Sequence, residues 1–231
     1  MSTACVAVIP AAGSGSRFGG DTPKQYLELR GQPLIAHSIA ALAAEPRIER
    51  IVVVTSADDD RWERYDWTRH GTRLRRLRCG GATRAQSVRN GLAALAGEVA
   101  PQLLVLVHDA ARPCLLPASV ASLIDELADD PVGGLLAVPV VDTLKRADAG
   151  QRILATEPRE GLWQAQTPQA FRFALLCRAL DEAGAAVTDE AGAVERLGLS
   201  PRLVRGDASN LKVTLPADIA LVSAILASRE D

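Results

Sequence analysis

The hydrophobic positions of this chain fall into short continuous runs rich in β-branched residues, separated by longer stretches with helical spacing. The strand-like runs cover residues 5–9, 51–55, 74–79, 103–107, 135–141 and 203–205. The helix-like stretches cover residues 34–44, 83–96, 117–128, 171–183 and 216–227. Because strands without polar alternation are buried on both faces, the pattern predicts an α/β fold, with a Rossmann-like, mostly parallel sheet and helices on both faces.

Residues 142–163 interrupt this alternation. The segment is polar, has weak strand character and carries the cations Lys145, Arg146, Arg152 and Arg159. We predict that it projects from the sheet as a β-arm, and its composition suits a surface hairpin with solvated charges as well as a functional arm. The chain lacks linkers and repeats, so we expect a single domain over residues 1–231.

A loop of small residues follows the first apolar run, which ends at Pro10. Gly13 and Gly15 have no Cβ, so the backbone there can approach an anion closely and direct N–H groups at phosphate oxygens. Arg17 and Lys24 then add a planar guanidinium and a mobile ammonium. The loop is therefore a candidate phosphate site, and a glycine-rich turn beside a surface arginine is the alternative.

Better-known motifs do not match this loop. A dinucleotide fingerprint requires a small residue where the chain has Phe18, which argues against a nicotinamide oxidoreductase. A Walker A loop starting at Gly15 requires a lysine where the chain has Asp21. The sequence also lacks the G-x-S-x-G nucleophile elbow, so covalent hydrolase chemistry is disfavoured.

Composition and charge argue against several other classes of protein. The net charge is −2 and aromatic residues make up 3% of the chain, which argues against a nucleic-acid-binding surface. Four cysteines without a C-x-x-C pair predict reduced packing residues, and three scattered histidines do not form a zinc ligand set. No apolar run approaches the roughly 18 residues of a membrane span, and no signal-peptide pattern is present. We expect a soluble, cytoplasmic protein without nucleic-acid or membrane partners.

A carboxylate and a guanidinium follow the apolar run at residues 103–107. Asp109 and Arg112 would lie at the carboxyl end of a central strand, the edge where open α/β sheets bind ligands. One carboxylate beside a triphosphate is the minimal protein contribution to a Mg²⁺ site, because phosphates and water supply the other ligands. We therefore predict Asp109 as a metal ligand; an Asp109–Arg112 ion pair that fixes the loop is the alternative.

Three further motifs are weak individually. Gly80 and Gly81 precede Thr83, a predicted helix N-cap whose free N–H groups favour anions or base carbonyls. Residues 188–190 suit a second cap, and Lys212 taken alone would be a solvated surface residue. Glycines at strand ends, cations and a lone carboxylate are together typical of phosphoryl or nucleotidyl transfer.

Eight motifs follow one another along the chain: Pro10-Ala-Ala-Gly-Ser-Gly-Ser-Arg17, Pro23-Lys-Gln-Tyr26, Gly80-Gly-Ala-Thr-Arg84, Val107-His-Asp-Ala-Ala-Arg-Pro113, Asp142-Thr-Leu-Lys145, Gln166-Thr-Pro-Gln169, Thr188-Asp-Glu190 and Asn210-Leu-Lys-Val-Thr214. In this order they resemble the 2-C-methyl-D-erythritol 4-phosphate cytidylyltransferases, and the resemblance runs nearly end to end. It implies Mg²⁺-dependent transfer of CMP from CTP to a polyol phosphate, with pyrophosphate as the second product, in the non-mevalonate route to isoprenoid precursors.

The resemblance also implies roles for individual residues. Arg17 and Lys24 match the family's catalytic pair, and Asp109 matches its metal position. Nucleotide contacts are implied for Ala11, Ala12, Gly13, Gly81, Arg84, Ser87 and Ala110, to which the loop interpretation adds Pro10 and Gly15. Substrate contacts are implied for Asp109, Arg112, Thr167, Thr188 and Lys212, with Thr143 and Arg159 contributed by a partner subunit's arm. The resemblance thus implies a homodimer with exchanged arms.

The chain departs from the family at two positions. Ala82 stands where relatives often carry an acidic residue near the base, so base selectivity there would rest on backbone groups, and Phe18 replaces the commoner methionine. The related ribitol 5-phosphate cytidylyltransferases remain an alternative, although the Ala-Ala-Gly loop, Lys145 and residues 188–190 favour methylerythritol phosphate. A non-catalytic nucleotide sensor is a second alternative, but it would not need both Arg17 and Lys24.

Overall fold

The computed structural model describes residues 4–13, 22–184 and 187–229. The strands are β1 (Cys5–Pro10), β2 (Glu28–Leu29), β3 (Gln32–Pro33), β4 (Ile48–Val54), β5 (Leu74–Leu77), β6 (Leu104–Val107), β7 (Gly133–Pro139), β8 (Leu144–Ala147), β9 (Ile153–Glu157), β10 (Trp163–Arg172) and β11 (Arg202–Arg205). The α-helices are α1 (Leu34–Ala43), α2 (Arg84–Ala93), α3 (Pro117–Leu127), α4 (Phe173–Ala183), α5 (Glu190–Arg196) and α6 (Asp218–Ala227). Short 3₁₀ turns lie at Lys24–Tyr26, Trp62–Arg64 and Thr68–Arg73.

Seven strands form the central sheet, in the order β11-β7-β10-β6-β1-β4-β5. Strand β1 runs parallel to β4 and β6, β4 runs parallel to β5, and β7 runs parallel to β11. Strand β10 is antiparallel to both of its neighbours, β6 and β7. The predicted mostly parallel α/β sheet is confirmed, and each predicted strand forms with somewhat shifted ends.

Strand β10 is the main departure from the predicted elements. Its 10 residues form one continuous strand, whereas the sequence pattern assigned residue 163 to the arm and residue 171 to a helix. That assignment is wrong because the buried middle of the strand includes the polar residues Gln166, Thr167 and Gln169, which hide the alternation expected of a strand. Helix α4 consequently begins at Phe173.

Strand β1 illustrates how the sheet is buried on both faces. Cys5, Ala7 and Ile9 pack into the core cluster beneath α1 and α3. Val6 and Val8 pack into the cluster beneath α2 and α4 on the opposite face. Fully burying a valine or isoleucine side chain contributes roughly 1.5–3 kcal/mol, so both layers hold β1 firmly and set the position of residues 11–13, which follow it.

Strands β8 and β9 form a separate antiparallel hairpin within the predicted arm. Two of its apolar side chains are largely exposed, Ile153 at 67% and Leu154 at 63%. The segment thus forms a hairpin separate from the central sheet, and its projection as an arm for dimerisation stays a prediction.

All four cysteines lie among the described residues and are free thiols. Burial raises the pKa of Cys5 to about 12 and that of Cys114 to about 11. These two thiols are therefore unreactive packing groups, as predicted. None of the described helices combines the length and apolar character needed to cross a bilayer.

Candidate active site

A cavity of about 780 Å³ opens at the carboxyl edge of the sheet, where β1 and β6 end. Its volume suits a ligand of nucleotide size. The predicted site residues that line it are Pro10, Ala11, Ala12, Gly13, Lys24, Gly81, Arg84, Ser87, Asp109, Ala110 and Lys212. The fold thus brings together residues from five of the eight sequence motifs.

The other predicted site residues lie elsewhere. Arg112 lines a neighbouring cavity of about 670 Å³, which shares Lys212 with the first. Thr167 is buried under the loop that carries Asp109. The residues that are exposed and line neither cavity are Thr143, Arg159 and Thr188. Gly15, Arg17 and Phe18 lie outside the described residues.

The loop after β1 is held in place by a glutamine that follows Lys24. The Gln25 amide donates to the carbonyl oxygens of Ala11 at 2.7 Å and Gly13 at 3.1 Å. On its other side the loop touches Gly80, where a Cβ would come within 2.2 Å of the Ala12 Cβ. A side chain at Gly80 would therefore push the two loops apart, which explains the glycine after β5.

The N-terminus of α2 forms a second wall, and its capping is confirmed. The Thr83 side chain accepts a hydrogen bond from the backbone N–H of Gln86. The N–H of Gly81 donates to Ser87 Oγ at 3.1 Å, and that of Ala82 donates to Gln86 Oε1 at 3.0 Å. These two donors, which precede the helix, are therefore used within the wall itself, and the expectation that free N–H groups at the N-terminus of α2 bind an anion or a base stays a prediction.

Three cations surround the carboxylate of Asp109, whose side chain is only 8% exposed. Arg84 Nε lies 2.7 Å from Oδ1, Lys212 Nζ lies 2.8 Å from Oδ2, and Arg112 Nε lies 3.7 Å from Oδ2. Burial would raise the pKa of Asp109, but the nearby positive charges outweigh it and hold that pKa well below its usual range. The predicted Asp109–Arg112 pair exists, yet it is the longest of the three contacts. The alternative interpretation of Lys212 as a purely solvated residue is wrong.

Lys24 and Lys212 approach the cavity from one wall. Lys24 Nζ donates to the carbonyl oxygen of Val213 at 2.7 Å, directly after Lys212 in sequence. The turn that carries Lys24 is anchored by Tyr26, which is buried and donates from Oη to Asp59 Oδ2 at 2.6 Å. The Val213 hydrogen bond and the Asp109 ion pair therefore place the two ammonium groups beside the cavity.

A buried histidine fixes the hydroxyl group of Thr167. His108 Nε2 lies 3.2 Å from the carbonyl oxygen of Arg112, which only accepts hydrogen bonds, so we assign the proton to Nε2. Burial lowers the pKa of His108 to about 4, so the ring is neutral and Nδ1 is an acceptor. Thr167 Oγ1, 3.0 Å from Nδ1, must then donate to it. Oγ1 also accepts from the Asp109 N–H at 3.0 Å. The single hydroxyl proton of Thr167 is thus used by His108, and Thr167, which is buried and lines neither cavity, stays a predicted substrate contact.

Several residues of the site were not predicted from the sequence to bind a ligand or to take part in the reaction. The missed group consists of Gln25, His108, Gln169, Glu190 and Asn210, all buried and polar. Asn210, for example, donates from Nδ2 to the Thr167 carbonyl oxygen at 2.8 Å, and its backbone carbonyl oxygen accepts from Arg112 Nη1 at 2.7 Å. All five lie inside quoted motifs, and that position was the signal available from the sequence.

Known proteins match this chain over nearly its whole length. The family model of 2-C-methyl-D-erythritol 4-phosphate cytidylyltransferase (IspD) matches residues 5–228. A relative with that name from Dechloromonas aromatica is 63% identical over 224 residues, which is 97% of this chain and 98% of the relative. Another, from Azoarcus sp., is 58% identical over 223 residues, which is 96% of this chain and 94% of the relative.

Solved structures agree with the sequence matches. A crystal structure of 4-diphosphocytidyl-2C-methyl-D-erythritol synthase superposes with a TM-score of 0.85 at 43% identity, covering 97% of this chain and 99% of the other. The 2-C-methyl-D-erythritol 4-phosphate cytidylyltransferase of Francisella tularensis superposes with a TM-score of 0.81 at 31% identity, covering 96% and 99%. The chain therefore belongs to the 2-C-methyl-D-erythritol 4-phosphate cytidylyltransferase family.

Proposed function

We propose that this protein is a nucleotidyltransferase that transfers CMP from CTP to 2-C-methyl-D-erythritol 4-phosphate, a step in isoprenoid precursor synthesis. The products are 4-diphosphocytidyl-2-C-methyl-D-erythritol and pyrophosphate. Beyond family membership, the observation that carries the proposal is the convergence of Lys24, Arg84, Asp109 and Lys212 on one cavity beside the small-residue loop. Net positive charge next to closely approachable backbone is what a triphosphate requires.

The reaction needs little covalent chemistry from the protein. A phosphate oxygen of the acceptor attacks the α-phosphorus of CTP in line, and the bond to the bridging oxygen breaks to release pyrophosphate. The attacking phosphate is already anionic, so no general base is required. Lys24, together with Arg17, stabilises the charge that develops on the α-phosphate and on the leaving group.

A divalent cation, with Mg²⁺ as the expected ion, fits the donor set at Asp109. The carboxylate is ionised, and each of its oxygens retains a lone pair beyond the contacts to Arg84 and Lys212. Among the described residues no group of three or more metal-ligating side chains occurs. Asp109 would therefore hold the ion together with phosphate oxygens and water, and the ion would neutralise phosphate charge.

Pyrophosphate release tests the assignment directly. Each of CTP, ATP, GTP and UTP is supplied with either methylerythritol phosphate or ribitol 5-phosphate, and we expect strong release only with CTP and methylerythritol phosphate. Turnover of ribitol 5-phosphate instead would favour the related cytidylyltransferase. CTP that binds without turnover with either acceptor would indicate a nucleotide sensor.

The protein acts as a homodimer in which each arm reaches the partner's site. The exposed apolar side chains Ile153, Leu154 and Trp163 lie in the arm or at its base, and a second copy of the chain would cover them. Thr143 and Arg159 are likewise exposed and line neither of the two cavities described above. A site completed by the partner's arm accounts for both observations.

Mixing two inactive variants tests the arm exchange. Lys24→Ala damages the site of its own subunit, whereas Arg159→Ala damages the site of the partner. In a heterodimer one site carries both changes and the other carries neither. An equal mixture should therefore regain about a quarter of the wild-type sites. Activity that stays at the level of the separate variants would contradict the exchange, and an Arg152→Ala variant, which changes another arm cation, serves as the control.

Two further expectations concern the domain organisation and the cellular location of the protein. We propose one nucleotidyltransferase domain over residues 1–231, with the arm at about 142–163. Four free thiols are typical of a reducing compartment, which supports a cytoplasmic location.

A further inference from the structure

A fully buried glutamate binds Arg84, the first residue of α2, at the second wall of the cavity. Glu190, the first residue of α5, has no exposed surface. Its two carboxylate oxygens accept hydrogen bonds from Arg84 Nη1 at 2.6 Å and Nη2 at 3.0 Å. This is a bidentate, charge-assisted pair, the geometry that orients a guanidinium most strictly.

The position of Glu190 is set by β10, independently of Arg84. The Gln169 side chain in β10 accepts from the Ala191 N–H and donates to Asp189 Oδ2, both at 2.8 Å. Asp189 in turn caps α5 by accepting from the Gly192 N–H at 3.0 Å. Because these bonds fix the first turn of α5, the backbone that carries Glu190 is positioned by contacts that do not involve Arg84.

Arg84 is left with a defined set of free donors. Its Nε donates to Asp109 Oδ1 at 2.7 Å, so Asp109 and Glu190 together use three of its five N–H groups. The two remaining N–H groups belong to a side chain that lines the cavity. Two carboxylates on separate elements thus fix the plane of the guanidinium.

We propose that Glu190 is a positioning residue that holds Arg84 in the orientation in which Arg84 contacts bound CTP. The inference rests on the proposed function, since it takes CTP as the ligand of Arg84.

Charge and positioning predict opposite results at this residue. Glu190→Gln makes the cavity more positive, so a purely electrostatic role for Glu190 would tighten triphosphate binding when the charge is removed. Positioning predicts weaker binding, because the amide cannot hold both guanidinium nitrogens as acceptor. We expect the Kd for CTP, measured by isothermal titration calorimetry, to rise about tenfold in Glu190→Gln. An unchanged or lower Kd would overturn the proposal.

Two comparisons separate positioning from general damage to the fold. Glu195→Gln removes the same charge from an exposed position of α5 and should leave CTP binding and Tm unchanged. If Glu190 acts through Arg84, the effects of Glu190→Gln and Arg84→Lys on CTP binding should not add in the double variant. The KM for CTP should also rise more than kcat falls. Should Glu190→Gln fail to fold, Glu190→Asp, which keeps the charge but shortens the side chain, should show the same weakened binding.

The outcomes distinguish the inference from the proposed function. A wild-type protein that does not release pyrophosphate from CTP would overturn the proposed function and the inference with it. Normal wild-type turnover, combined with fully additive effects of the two substitutions, would overturn the inference alone.

Discussion

Replacing Lys24 by alanine should lower kcat for pyrophosphate release by about 10²- to 10³-fold, the usual cost of removing one group that stabilises a developing oxyanion. The ammonium lies on the cavity wall, where it donates a hydrogen bond of 2.7 Å to the Val213 carbonyl oxygen, and its positive charge is placed to stabilise a phosphate. Because its interaction strengthens as charge develops, kcat should fall much more than CTP binding weakens.

The control for Lys24→Ala is Arg178→Ala, which removes a cation from the exposed surface of α4, where Arg178 pairs with Glu182 at 3.7 Å. Arg178→Ala should keep wild-type kcat. Lys24→Arg should recover only part of the activity, because a guanidinium cannot take the place of a compact ammonium without displacing its neighbours. Wild-type turnover in Lys24→Ala, with an unchanged melting temperature, would remove Lys24 from the mechanism.

The parallel strands were predictable because their burial can be read from the hydrophobic pattern within each segment. Residues 5–9 and 103–107 are apolar on both faces, and only a strand covered by two helical layers buries such runs. Strand β10 obeys a different rule, since its Gln166, Thr167 and Gln169 are buried and polar. Their partners include the Asp207 carbonyl oxygen, the Asp109 N–H and Asp189, all distant in sequence. Hydrophobic periodicity cannot anticipate bonds that only the folded chain brings together.

The same reasoning applies to the candidate site. The motifs identified most of the residues that line the cavity, because the residue types alone, glycines, cations and a carboxylate at strand ends, indicate a phosphate-binding site. The ion-pair partners of Asp109 were not predicted correctly. Arg112 was the expected partner of Asp109 because it is close in sequence, but Arg84 and Lys212 approach more closely. Glu190 was interpreted only as part of a cap, since its partner Arg84 lies on another helix.

Replacing Asp109 by asparagine should reduce kcat by about 10³-fold, because loss of the metal-holding carboxylate removes several kcal/mol of charge stabilisation, and each 1.36 kcal/mol is a factor of ten in rate. The isosteric amide keeps the shape of the loop but leaves three cations without their shared anion. Since Arg84 and Lys212 are partly exposed, at 25% and 44%, the loss in unfolding free energy should be only about 1–2 kcal/mol.

The dependence of rate on Mg²⁺ concentration separates the proposed metal role of Asp109 from its role as an ion-pair partner. If Asp109 holds the ion, Asp109→Asn should need far more Mg²⁺ to reach half-maximal rate, and a chelator should abolish wild-type activity until Mg²⁺ is restored. Asp181→Asn, on the exposed face of α4, should leave the Mg²⁺ dependence unchanged.

The pH dependence of rate and of stability gives a second check on Asp109, because the depressed pKa of its carboxyl keeps it ionised. The stabilisation from its ion pairs is thus present above the ordinary aspartate pKa and is lost only as the pH falls through the lower folded value. If the wild-type rate fell as the pH dropped through the near-neutral range, and this fall were absent in Asp109→Asn, Asp109 would titrate in that range. That result would contradict the depressed pKa of Asp109.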